Sequence, residues 1–280
     1  MEQDKKDKIK KIFETQLKSF AIALESDYSI NGSKRDNINK KKNNFLISSL
    51  GDEIMVYSAL MRSLDSSLGN RIEIIALEVA KICGFKVSKG VEGFLSSETT
   101  NLIATLLEAY KDKNNIRKPS IEDLALIQQT VKHSEGKSKF HNSDYLLEKQ
   151  KNGITYLSLL ELKAGGDLDN KKARSEKEAI LEQYAILISK YEEQVDNGTV
   201  EVSLFFATAY NKKALNSGSE NWTQGSVISF FAPNELLIGK DFWNFICDDS
   251  NGWKIITSAY KENSHYIANS LQKVIASFKN

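Results

Sequence analysis

DYLLEKQKNGITYLSLLELKAGGDLDN, residues 144–170, decides the fold. Two apolar runs flank Lys151-Asn152-Gly153. Asn-Gly between such runs predicts two strands joined by a tight hairpin turn. The first strand opens on Asp144 and the second ends in Glu161-Leu162-Lys163. Residues two apart on a strand project to one face. Glu161 and Lys163 therefore share a face, Leu162 points into the opposite layer, and the hairpin brings Asp144 back beside the pair.

Two converging carboxylates repel, and each resists desolvation. A divalent cation removes that conflict. Oxygen ligands suit Mg²⁺, which keeps several waters and needs only one or two carboxylates plus substrate phosphate. Lys163 stands ready to orient a water or to offset phosphate charge. The chemistry that fits is metal-assisted hydrolysis of a phosphodiester.

Downstream, Gly165-Gly166 permits a sharp exit from the strand, and Asp167 or Asp169 is placed to cap a helix running to about Tyr191. Ile180, Tyr184, Leu187, Ile188 and Tyr191 form its apolar face. Lys171, Lys172 and Arg174 crowd its first turn, where cations oppose the helix dipole. A nearby phosphate backbone would account for them. Glu176 and Gln183 share a helix face whose bland reading is solvent exposure. Residues 199–210, TVEVSLFFATAY, read as a strand buried on both faces. Strand, strand, helix, strand gives a mixed sheet with a crossover helix. A polar loop, 211–224, opens with Asn211, Lys212 and Lys213 and suits substrate contact. Val227–Phe231 reads as a strand, Glu235–Cys247 as a helix, and about 254–278 as the terminal helix.

Upstream, helices are predicted over 5–25, 45–64, 70–83, 97–112 and 120–132. Residues 26–44 are polar and lysine-rich, either a solvated loop or an arm that contacts phosphates. The segment 133–144 carries Lys137 and Lys139, which read either as solubilising charges or as the lining of a DNA cleft. Its histidines lack partners at zinc-ligand spacing, which argues against zinc. Formal net charge is +1, so any polyanion site must come from local clustering. The two cysteines, Cys83 and Cys247, are far apart in sequence and fit a reducing compartment. No apolar run reaches membrane-spanning length.

Asp144 followed by Glu161-Leu162-Lys163 resembles the PD-(D/E)xK nuclease motif, with Ser143 where proline often precedes the acid. SLGNRIEIIA (67–76), KFHNSDYLL (139–147), ELKAGGDLDNKKARSEK (161–177), ATAYN (207–211) and ELLIGKDFWNFI (235–246) look like type II restriction endonucleases of the TdeIII-like kind. The resemblance spans roughly 45–250. It implies an α/β (α+β) fold: a mixed central β-sheet flanked by helices, a restriction-endonuclease-like core over 45–280 with a helical N-terminal part. Residues 1–44, a helix and basic loop, fall outside it. By this resemblance Asp144 and Glu161 bind Mg²⁺ with the Leu162 backbone carbonyl, Lys163 is the catalytic lysine, and Glu73 matches an acid on the helix before the sheet. The resemblance also implies double-stranded DNA as substrate, a homodimer, a cognate DNA methyltransferase and a cytoplasmic location. The rival readings are a repair or junction nuclease of the same fold and a non-catalytic DNA-binding protein.

Overall fold

The Asn152-Gly153 turn forms as predicted. Both residues have left-handed backbone, with φ of 53° and 82°, as a type I′ hairpin turn requires. It joins β4 (Tyr145–Lys151) to β5 (Ile154–Lys163), antiparallel from Lys151↔Ile154 to Tyr145↔Leu160. In this computed structural model the described residues are 1–111, 117–131, 137–141, 145–165 and 168–278.

On its other side β5 pairs in parallel with β6 (Val200–Thr208), from Thr155↔Val200 to Lys163↔Thr208. The crossover is α7 (Asn170–Lys190) followed by α8 (Glu192–Asp196). β1 (Lys86–Ser88) joins β4 antiparallel, and β7 (Leu236–Ile238) joins β6 in parallel. The five-stranded sheet is therefore mixed, in the order β1-β4-β5-β6-β7, with helices flanking it as expected. Residues 83–252 form one compact unit; 1–82 with 253–280 form the other.

In the sheet unit, Leu157 and Leu159 of β5 and Leu204 and Phe206 of β6 share a buried cluster with Ile180, Leu181, Tyr184 and Leu187 of α7. Each such aliphatic side chain contributes about 1.5–3 kcal/mol on burial. Asp169 caps α7, its carboxylate accepting from Lys172 N at 2.8 Å. α7 also carries a cation into the core. Lys177 Nζ lies 2.6 Å from Glu235 Oε2 and 5.0 Å from the centre of the Phe231 ring. The same Glu235 oxygen accepts from Ala232 N at 2.7 Å. Burial pushes the Lys177 ammonium's pKa down, and the Glu235 charge works against that shift.

The helical unit is built on α1 (Gln3–Asp27), whose Ile9, Phe13, Leu17, Phe20 and Leu24 are buried at the predicted spacing. Gln16 ties it to α4 (Asp52–Ile82), donating to Glu78 at 2.8 Å and accepting from Arg71 at 2.7 Å.

Several elements differ from the sequence reading. Residues 26–44 are not a loop throughout: α2 (Arg35–Asn39) and a 3₁₀ turn (Lys40–Asn43) form there, because Ile38 buries against Leu24, Met55 and Val274. The helices predicted at 45–64 and 70–83 are instead α3 (Phe45–Ser48) and the continuous α4. Gly69 inside α4 costs roughly 1 kcal/mol relative to alanine, which the buried stripe of Met55, Leu60, Leu64, Ile75 and Val79 on either side of it outweighs. Lys137–His141 is a strand, β3, paired antiparallel with β2 (Val91–Leu95). Val227–Phe231 begins in a helix, α9 (Gly225–Ile228), not a strand; Val227, Phe230 and Phe231 are buried while Ile228 is open, a helical rather than alternating period. The helix expected over 235–247 is β7 followed by α10 (Lys240–Cys247), divided at Gly239 with φ of 52°. The terminal helix is two, α11 (Gly252–Asn263) and α12 (His265–Ala276).

Lys177→Met should lower the unfolding free energy by about 3–5 kcal/mol, since Glu235 is then buried without its cation. Lys177→Met/Glu235→Leu should recover much of that loss in urea denaturation. Equal losses in the single and double variants would show that the ion pair is not the cause.

Candidate active site

The end of β5 carries the charge cluster. Glu161 is buried at 8% exposure, and its Oε1 lies 2.5 Å from Lys163 Nζ. Alternation puts both on the face that Leu157 and Leu159 present to α7. Leu162 is buried in the opposite layer, as the sequence predicts. The parallel ladder fixes this end rigidly, with Glu161 against Phe206 and Lys163 against Thr208.

α7 supplies a third group. Glu176 Oε1 lies 3.4 Å from Lys163 Nζ, so the ammonium stands between two carboxylates. The expected solvent exposure of the Glu176/Gln183 face is wrong: Glu176 is half-buried in this cluster and Gln183 is buried at 3%. The available signal was topological: a helix that follows a strand through a short turn lays its first turns over that strand's end.

The chain leaving the site is pinned on both strands. Gln224 Nε2 and Ser226 Oγ donate to Leu168 O at 2.8 and 2.6 Å. Trp243 Nε1 donates to Ala209 O at 2.7 Å. The Tyr210 hydroxyl sits so close to Gly165 that a Cβ there would overlap it.

Asp144 lies outside the described residues, as do the side chains of Lys137 and Lys139; its covalent neighbour Tyr145 pairs with Leu160, the residue before Glu161. Lys171 and Lys172 are exposed on the first turn of α7. Arg174 is held by Glu108 of α5 (Ser97–Ala109) at 2.7 Å and by Glu178 at 3.1 Å. Asn211 is buried, donating to Ser217 Oγ at 3.0 Å and Gly218 O at 2.9 Å and accepting from Lys213 N at 2.9 Å. It shapes the loop on which Lys212 and Lys213 stand exposed. Glu73 lies on α4, in the helical unit.

Residues 3–264 match the family described as type II restriction endonuclease, HinfI. The chain belongs to the HinfI family. No curated protein and no solved structure matches it. The family found is HinfI, where the sequence resemblance pointed to the TdeIII-like kind, and its match runs through α1. A HinfI-family chain is a site-specific deoxyribonuclease that cuts DNA at defined sequences, which decides against the repair-nuclease and non-catalytic readings.

Type II restriction endonucleases normally use a divalent metal ion. The donors at the β5 end suit one: carboxylate oxygens bind hard cations, and among the described residues neither cysteine nor histidine stands with them. Among the described residues no group of three or more His, Cys, Asp or Glu side chains is close enough to hold a metal; Asp144 is outside that set. No helix among the described residues is long and apolar enough to cross a membrane.

Glu176→Gln in this HinfI-family chain should slow DNA cleavage by about 10–100-fold, the usual effect of removing a group that orients a site residue. Its melting temperature should stay near that of the wild type, because the residue is only half-buried. Cleavage at the wild-type rate would remove Glu176 from the site.

Proposed function

We propose that this restriction endonuclease is a Mg²⁺-dependent homodimer whose active site combines Asp144, Glu161 and Lys163. The observation that supports it is the juxtaposition of Glu161, Lys163 and Glu176 at the end of β5. Asp144 and Glu161, with the Leu162 carbonyl, hold the metal, which supplies positive charge to the scissile phosphate when bound.

Lys163 acts on the water. Its ammonium, fixed between the carboxylates of Glu161 and Glu176 and still about a third exposed, is placed to orient a water beside the phosphate. The water oxygen bonds to phosphorus in line with the 3′-oxygen, the P–O3′ bond breaks, and the products are a 5′-phosphate and a 3′-hydroxyl. The proton lost by the water goes to solvent, and the departing oxygen takes one from solvent.

Lys171 and Lys172 at the start of α7 and Lys137, Lys139, Lys212 and Lys213 on neighbouring segments are the proposed contacts to the duplex. Lysines bind phosphate without reading sequence, so base reading falls to the 211–224 loop that Asn211 braces. Arg174 takes part in DNA binding only if DNA displaces Glu108 or Glu178. Glu73 is proposed as the accessory acid. Cutting both strands of a two-fold site is most simply done by a two-fold protein. A restriction enzyme working in the cytoplasm also needs its host's sites protected, which assigns the second partner as a DNA methyltransferase of the same specificity.

Plasmid digestion in Mg²⁺ tests the site. Wild-type protein should give discrete fragments, and Lys163→Ala should cut at least about 10³-fold more slowly. Calorimetric titration with Ca²⁺ should show binding to wild type and Lys163→Ala but none to Asp144→Ala or Glu161→Ala. Full cleavage by Lys163→Ala would refute the assignment.

A further inference from the structure

Tyr210 is an open side chain in a closed segment. Thr208 is fully buried and Ala209 and Asn211 are buried at 8% each, yet Tyr210 between them is 51% exposed. The backbone around it is fixed. Ala209 N donates to Ala164 O at 3.0 Å, and Gly239 N donates to Thr208 O at 2.9 Å. The Tyr210 carbonyl accepts from Thr208 Oγ1 at 3.0 Å.

Alternation aims the ring. Phe206 and Thr208 pair with Glu161 and Lys163 and share their face of the sheet. Tyr210 is the next alternate position, just past the end of β6, so it stands at the same sheet end as the charge cluster. Its ring lies against Gly165, two residues beyond Lys163, where a Cβ would overlap both the hydroxyl and the ring carbon that carries it. The hydroxyl makes no hydrogen bond to a described residue.

We propose that the Tyr210 hydroxyl binds the DNA backbone, donating to a phosphate that flanks the scissile one on the strand being cut. The inference rests on the active site proposed at the end of β5 and adds a substrate contact to it. Gly165 can lie at most about 7 Å along the chain from Lys163. A group so close to the scissile bond meets the sugar-phosphate backbone, while base edges lie deeper in the grooves. The scissile phosphate already takes the metal and the water held by Lys163, which leaves its neighbour for the phenol. A neutral O–H donor on an anionic oxygen forms a charge-assisted bond. The fixed backbone and the missing Cβ at Gly165 hold the donor in place before DNA arrives.

Sequencing the ends of plasmid fragments gives the cut sequence, and synthetic duplexes carrying it test the contact in Mg²⁺. Tyr210→Phe keeps the ring and removes the hydroxyl. It should cut about 10–100-fold more slowly, the worth of a hydrogen bond to a charged group, at an unchanged melting temperature. A methylphosphonate in place of a flanking phosphate removes the charge that the hydroxyl meets. At one of the two flanking positions it should slow wild type at least about tenfold more than it slows Tyr210→Phe. Gly165→Ala should slow wild type by displacing the ring, yet add less than about threefold to the loss in Tyr210→Ala, where that space is empty. Cleavage by Tyr210→Phe at the wild-type rate overturns the proposal. So does equal slowing of wild type and Tyr210→Phe by the methylphosphonate at both positions, the result expected if the hydroxyl only braces Gly165. Lys163→Ala, run alongside, keeps the two readings apart. Its cutting at full rate refutes the site, whereas an inactive Lys163→Ala beside a fully active Tyr210→Phe refutes the tyrosine contact alone.

Discussion

Because side chains alternate along a strand, a slip of one residue in the β4–β5 ladder would turn Glu161 and Lys163 away from α7 and into the opposite layer. Leu160 and Leu162 would then face α7, and two charged groups would be driven among apolar neighbours. The Asn152-Gly153 turn prevents this. Its two left-handed residues fix a two-residue loop, and the loop fixes which residues pair. The parallel ladder to β6 fixes the register a second time, from Thr155↔Val200 through Lys163↔Thr208. The candidate site therefore sits on a part of the sheet paired on both sides, which suits a geometry that must hold to a fraction of an ångström.

Adjacent residues of α7 serve opposite ends of the same problem. Glu176 reaches outward to Lys163 at the strand end, while Lys177 turns into the core and meets Glu235. Both cations are compensated, but differently. Lys177 has one buried carboxylate and an aromatic ring, almost no exposed surface, and a pKa pushed down by desolvation. Lys163 remains about a third exposed, so its ammonium keeps hydration and can exchange partners. A lysine that moves protons or orients water needs that access, and one that pins a helix does not. Cys247 belongs with the second kind: a hydrogen bond shared with Cys83, and then burial, push its thiol well above the ordinary range, the setting of a structural cysteine.

The elements legible in the sequence were those with a long, clean period. The hairpin, α7, β6 and α1 each repeat their apolar positions over enough residues that only one structure buries them. β2, β3 and β7 are three to five residues long, too short for alternation to stand out from chance, and their existence depends on neighbours that no local window contains. Val227–Phe231 shows the opposite failure. Its aromatic and β-branched composition suggests a strand, but the burial of Val227, Phe230 and Phe231 follows a helical step, so composition misled where spacing would have served. The split expected between helices over 45–64 and 70–83 does not occur at that place, because the buried stripe of α4 continues across it.

At the site, the pairing of Glu161 with Lys163 follows from strand geometry alone and was legible. Glu176 was not, because its side chain acquires meaning only when α7 folds back over β5. Asn211 illustrates a further limit. An asparagine beside two lysines in a polar loop suggests a group that reads bases, yet its amide and carbonyl are both bonded within residues 211–218. Loops of this length need internal hydrogen bonds to hold any shape, since no ladder or helix satisfies their backbone. The residue types that brace a loop are therefore the same ones that bind DNA, and sequence alone does not separate the two uses. What separates them is burial: Asn211 is closed off, and Lys212 and Lys213 on the same loop are left in water.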